Sequence, residues 1–150
     1  MISVVSKESE LEELSEVLLN FYAMMPYTKK DDAVELRINW ESKWKKLIDA
    51  GAGAILALKK SDRIIGGIGM MFYPALDDDV MTCSEAFWYV DEKERGGGLK
   101  LLLKAQKHAK ELGAKRMTMI HLSNSMPNKL KRLYERLGFK EIETHYIKEI

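Results

Sequence analysis

The chain contains one cysteine, three prolines and no apolar run approaching a membrane span. Cys83 has no partner within the chain, which excludes an internal disulfide framework and fits a reducing compartment. With no stretch of roughly 18 apolar residues and no cleavable leader pattern, a soluble cytoplasmic protein is expected. Neither sign of charge is in excess: 24 Lys and Arg face 23 Asp and Glu, a net charge of +1. That balance gives no electrostatic reason to expect nucleic acid or a membrane surface as partner. Repeats, low-complexity tracts and Pro/Gly linkers are missing, and Cys, His and carboxylates show no metal-ligand spacing, so no metal is expected. What is present is 150 residues of 46% hydrophobic composition, suited to one compact domain over 1–150 with a real core.

The order of elements follows from hydrophobic period and punctuation. Residues 2–5 form a short apolar run that reads as a strand. Ser9 with Glu12 makes a capping box, and Leu11, Leu14, Val17, Leu18, Phe21 and Met25 then form a helical stripe that Pro26 helps to end. Leu36, Trp40, Trp44 and Leu47 predict a second helix over 32–49. Residues 54–58 and 64–73 read as a hairpin around Lys60-Ser61-Asp62, closed by Pro74. Gly66, Gly67 and Gly69 weaken its second strand and point to a bulge or a close ligand approach. Strands are expected over 82–90, 117–122 and 142–150, with helices over 99–112 and 128–137. The result is a mixed α/β (α+β) fold of order β-α-α-β-β-β-α-β-α-β, with helices on both faces of its sheet.

The most informative stretch is Glu94-Arg95-Gly96-Gly97-Gly98-Leu99-Lys100, where a strand gives way to a helix. Glycines keep no side chain between ligand and backbone and tolerate positive φ, so successive N–H groups can face one concavity. The helix that follows adds the positive end of its dipole, making a site suited to phosphate or pyrophosphate. A flexible strand-to-helix turn would need the same glycines. The nucleoside triphosphate loop is excluded because Lys100 lies between Leu99 and Leu101, with no Ser or Thr after it. The dinucleotide fingerprint fails because Leu101 stands where its third glycine would be, and the loop lies late in the chain.

The segment Glu85-Ala86-Phe87-Trp88-Tyr89-Val90-Asp91, followed by Arg95-Gly96-Gly97-Gly98-Leu99, resembles the acetyl-coenzyme A motif of GNAT-family N-acetyltransferases. Arg95 and Gly98 match that motif, while Lys100 stands where the family usually has a small residue. Leu133-Tyr134-Glu135-Arg136-Leu137-Gly138-Phe139 resembles the family's Leu-Tyr-x-x-x-Gly-Phe signature, although Pro127 stands where an Asn is usual and Asn128 follows it. The resemblance implies a GNAT-type mixed, mostly antiparallel sheet and an enzyme that transfers an acetyl group from acetyl-coenzyme A to a primary amine in a ternary complex. It implies main-chain contacts from Trp88, Tyr89 and Val90 to the pantetheine arm. The N–H groups of Arg95, Gly96, Gly97, Gly98, Leu99 and Lys100 would hold the pyrophosphate.

By the same resemblance, Glu85, ten positions before Arg95, is the candidate base for the amine, and Tyr134 the candidate acid for the departing thiolate. A solvent-facing or ion-paired strand carboxylate and a packed helix tyrosine are the structural alternatives for these two. Asn124 and Asn128 are candidates for the pantetheine, with turn and cap chemistry as their alternative. His121 is a second candidate base, and Lys131 and Arg132 could meet the adenosine 3′-phosphate. Residues 24–32 and 77–79, with Tyr22 and Tyr27, would face a small-molecule or peptide amine acceptor, and the last strand offers an edge for a homodimer. The rival reading is a non-catalytic acyl-coenzyme A-binding regulatory module of the same fold.

Overall fold

The structure, a computed structural model, describes residues 1–25, 33–94, 96–123 and 125–150. The expected site residues Arg95 and Asn124, and most of the expected acceptor loop, lie outside the described residues. The chain forms two compact units, Met1–Thr118 and Met119–Ile150.

The first unit is a five-stranded sheet of β1 (Ile2–Val4), β2 (Gly53–Lys60), β3 (Arg63–Pro74), β4 (Met81–Val90) and β5 (Arg116–Thr118), in that spatial order. β1 to β4 pair antiparallel, and β5 joins β4 in parallel. The turn between β2 and β3 is two residues, Ser61 and Asp62, with φ of 49° and 63°, the positive values that fit a right-twisted hairpin. Strand alternation divides the side chains between two covered faces. On one, α1 (Glu8–Val17), α2 (Leu19–Tyr22) and α3 (Ala33–Asp49) bring Phe21, Trp40 and Trp44 against Phe87 and Tyr89, and Leu14 over Gly67. On the other lie Leu58 and Trp88, covered by the loop that opens α4 (Gly98–Glu111), whose Leu101, Leu102, Ala105 and Ala109 are buried.

The glycines of β3 serve this packing. A methyl group at Gly66 would stand 2.4 Å from the Tyr89 carbonyl oxygen, one at Gly67 3.1 Å from Leu14 Cδ1, and one at Gly69 2.2 Å from Phe87 Cε1. The space above all three is filled by the protein itself, so the close ligand approach expected from these glycines is corrected, while bulges do occur. Register shifts lie between Leu58 and Lys59 in the β2–β3 pairing and between Gly69 and Met70 in the β3–β4 pairing. At the first, the Ile64 N–H is satisfied by Glu13 Oε1 at 2.7 Å.

The first helix starts one residue before the expected Ser9 cap. Glu10, not Glu12, folds back to accept the N–H groups of Ser6 and Lys7 at 3.0 and 3.1 Å. Glu10 also pairs with Lys59 of β2 at 2.7 Å, a tertiary contact that local sequence cannot signal. α1 and α2 form one interrupted helix, with Leu18 between them buried.

The second unit holds α5 (Pro127–Arg136), with Pro127 at the position where a missing N–H costs nothing. Its end is the glycine cap expected from sequence: Gly138 has φ of +86°, and the Phe139 N–H bonds the Tyr134 carbonyl at 2.9 Å. The strand expected over 142–150 is not formed among the described residues. Ile142, Tyr146, Ile147 and Ile150 are exposed there, and an apolar segment makes a strand only when an edge pairs with it. No helix among the described residues is long and apolar enough to cross a membrane.

Candidate functional site

β4 leads directly to the glycine loop. Its residues 81–90 pair with β3 on both sides of the register shift that skips Ala86, whereas among the described residues β5 pairs with it at Thr82, Cys83 and Ser84. From Glu85 onward the β5 ladder is not continued among the described residues, and this stretch carries the predicted Glu85, Trp88, Tyr89 and Val90. Glu85 is buried, stands opposite Met70, and adjoins the second register shift. Trp88 and Val90 are half-buried, and the buried Tyr89 ring packs on Phe21 at 5.9 Å between centroids.

A short 3-10 turn, Glu92–Glu94, follows, and then the loop. Gly96 has φ of +141°, a conformation that L side chains rarely adopt, and a methyl group there would meet nothing within 4 Å. Gly97 is the N-cap of α4, and its carbonyl accepts the Leu101 N–H at 3.0 Å. The N–H groups of the first turn, Gly98, Leu99 and Lys100, have no acceptor within the helix, and no acidic residue stands in that turn. Leu99 and Lys100 are exposed. The loop therefore presents open main chain, a positive helix end and an exposed cation, a donor set that fits a diphosphate.

The loop is seated on the protein from below. A methyl group at Gly97 would stand 2.4 Å from Leu58 Cδ2, and one at Gly98 3.6 Å from Trp88 Cζ2. Its stem is tied to the β2–β3 turn: Glu94 accepts from Lys60 Nζ at 2.5 Å and from Arg63 at 3.2 Å. Sequence reasoning gave Glu94 no role, because Lys60 and Arg63 lie across the hairpin turn and no local pattern links them to it.

In the second unit, Tyr134 is 7% exposed, and its hydroxyl donates to the Ile120 carbonyl at 2.8 Å. Its ring packs on Phe139 at 5.6 Å, so the Tyr-x-x-x-Gly-Phe spacing holds the phenol from the ring side through the helix cap. Asn128 is exposed in the first turn of α5. His121 lies beyond β5 rather than at its end, because that strand stops at Thr118. Lys131 is paired with Glu141 at 3.1 Å, a bond that raises its pKa.

Elsewhere in the first unit, Asp78 of the acidic loop is bonded to Arg116 and to the Val80 N–H, which is turn chemistry. Cys83 is fully buried, and burial pushes its thiol up to about 11, the environment of an inert structural thiol.

The profile of the acetyltransferase (GNAT) family matches residues 12–139. The chain belongs to that family. None of the curated proteins compared with it matches. Among solved structures, a putative acetyltransferase from Pyrococcus furiosus is similar over 100% of both chains, with 23% identity and a TM-score of 0.74. The ribosomal-protein-alanine N-acetyltransferase of Brucella melitensis biovar Abortus 2308 is similar over 100% of this chain and 99% of its own, with 16% identity and a TM-score of 0.68. An aminoglycoside acetyltransferase from an uncultured soil metagenomic sample, solved with trehalose, covers 100% and 95%, with 15% identity and a TM-score of 0.71. At these identities the solved structures establish a shared fold, and two of these proteins are named for very different acceptors.

Proposed function

We propose that this GNAT protein transfers the acetyl group of acetyl-coenzyme A to a primary amine, by direct attack within a ternary complex. The observation that carries the reading is the junction of β4 and α4. An open glycine loop with positive φ at Gly96 lies at the N-terminus of α4, immediately beyond a strand whose β5 ladder ends at Ser84. The loop N–H groups of residues 96–100, with Arg95, hold the pyrophosphate; the main chain of Trp88, Tyr89 and Val90, with Asn124 and Asn128, holds the pantetheine. The bound coenzyme supplies an activated thioester.

Chemistry at this site needs one group to take a proton and another to give one. The acceptor reaches the enzyme as an ammonium ion and attacks only as the free amine, so Glu85 takes its proton and holds it in register. Main-chain donors stabilise the oxyanion that develops at the carbonyl. As the C–S bond breaks, Tyr134 gives its phenolic proton to the sulfur, and the second proton lost from the acylated nitrogen restores the phenol. Its bond to the Ile120 carbonyl keeps the hydroxyl in one place beforehand, and rotation about the C–O bond exchanges that acceptor for the thiolate. Because the donor is an intracellular metabolite, the reading carries a cytoplasmic location.

Release of free thiol from acetyl-coenzyme A, followed over a panel of polyamines, aminoglycosides, amino acids and peptides, tests the proposal. Amine-dependent release supports it and names the acceptor class. Coenzyme binding with no release for any amine would support the non-catalytic binding module instead.

A further inference from the structure

Glu94 has the wrong sign for its position. A carboxylate at the stem of a loop suited to a diphosphate repels that ligand, and its two partners, Lys60 and Arg63, are cations that the ligand would attract. The geometry accounts for its presence differently. Glu94 is 19% exposed while its partners are 64% and 62% exposed, so the hairpin turn supplies long, solvated arms to a carboxylate held against the fold. The stem is fixed at further points: the Asp91 N–H bonds the Ile65 carbonyl at 2.8 Å, the Lys93 N–H bonds Asp91 Oδ1 at 2.9 Å, and the Glu94 N–H bonds the Asp91 carbonyl at 2.9 Å. Leu58 of the same hairpin lies beneath Gly97.

We propose that Glu94 is a positioning residue, which clamps the stem of the glycine loop to the β2–β3 turn through Lys60 and Arg63. The clamp holds the N–H groups of residues 96–100 in the geometry that receives the pyrophosphate. Three consecutive glycines carry a large conformational entropy, and a loop fixed at its stem loses less of it when ligand binds. This inference rests on the coenzyme reading above, and its test separates the two.

Coenzyme A is titrated by calorimetry into the wild type, Glu94→Ala and Glu94→Gln. Coulomb forces alone predict tighter binding by Glu94→Ala, which loses a negative charge and frees two cations. The clamp predicts the opposite, a loss of about three- to tenfold, the scale of a charge-assisted pair with exposed partners. Glu94→Gln, which keeps an oxygen acceptor, falls between the two. With an acceptor amine, the KM for acetyl-coenzyme A rises by the same factor while kcat holds. Amide exchange of residues 96–101 in Lys60→Met/Arg63→Met, a variant altered only at exposed side chains, should accelerate without coenzyme present. Equal or tighter binding by Glu94→Ala, or unchanged exchange in the double variant, would overturn the clamp alone. No binding by the wild type would overturn the coenzyme reading, and the clamp with it.

Discussion

Replacing Tyr134 by Phe removes one oxygen and separates two roles by magnitude. The hydroxyl donates a 2.8 Å bond to the Ile120 carbonyl, and a bond of that kind contributes a net of about 0.5–1.5 kcal/mol. Ile120 is 55% exposed, so water can take over its carbonyl and the cost falls near the lower end. For a chain of this size that lowers the Tm by about 1–4 °C. A domain with about 5–15 kcal/mol of stability stays more than about 99% folded after such a loss, so unfolding cannot account for a large drop in rate. An acid that protonates the leaving thiolate contributes roughly 10²–10⁴ in rate. Thiol release at saturating acetyl-coenzyme A should therefore fall at least about a hundredfold, with coenzyme affinity by calorimetry close to wild type. A kcat within about twofold of wild type, with the small Tm shift present, would show that the hydroxyl only ties α5 to Ile120, and would remove Tyr134 from the reaction.

Glu85→Gln should lower turnover most at pH values below the pKa of the acceptor amine, where a proton must be removed before attack; a pH–rate profile superimposable on wild type would exclude the base role. Gly69→Ala places a methyl group 2.2 Å from Phe87 and 2.8 Å from Trp44. It should destabilise the fold by about 1–3 kcal/mol in thermal melts, and an unchanged Tm would contradict the packing described for β3. Cys83, with its thiol pushed up to about 11, should resist thiol reagents at pH 8 until the chain is denatured. Because the folded chain keeps that proton while the unfolded chain loses it, stability should fall as pH rises from about 9 to about 11. Rapid native-state labelling would overturn the burial argument.

What the sequence made legible was local. The glycine loop and the Leu-Tyr-x-x-x-Gly-Phe cap each depend on residues within one turn of each other, so Gly96, Gly97 and Gly138 could be placed before any packing was known. The hairpin around Ser61 and Asp62 belongs to the same class. What was hidden depends on partners distant in the chain. Gly66, Gly67 and Gly69 look like ligand clearance until Tyr89, Leu14 and Phe87 are brought above them. The start of α1 moved because Glu10 reaches both Lys59 and the main chain. The last apolar segment, over 142–150, has no ladder among the described residues, since pairing is a property of an edge and not of the segment. The pairing of Glu94 with Lys60 and Arg63 was hidden for the same reason.

The central claim is that the loop after β4 binds the pyrophosphate of acetyl-coenzyme A, and calorimetric titration of the wild type beside Gly98→Glu tests it most directly. A methyl group is accommodated at Gly98, 3.6 Å from Trp88, so the effect of a glutamate is its charge and bulk at the helix N-terminus. Saturable binding by the wild type, abolished in the folded variant, is the predicted result. Equal binding by both would place the coenzyme elsewhere, and no binding by the wild type would contradict the account.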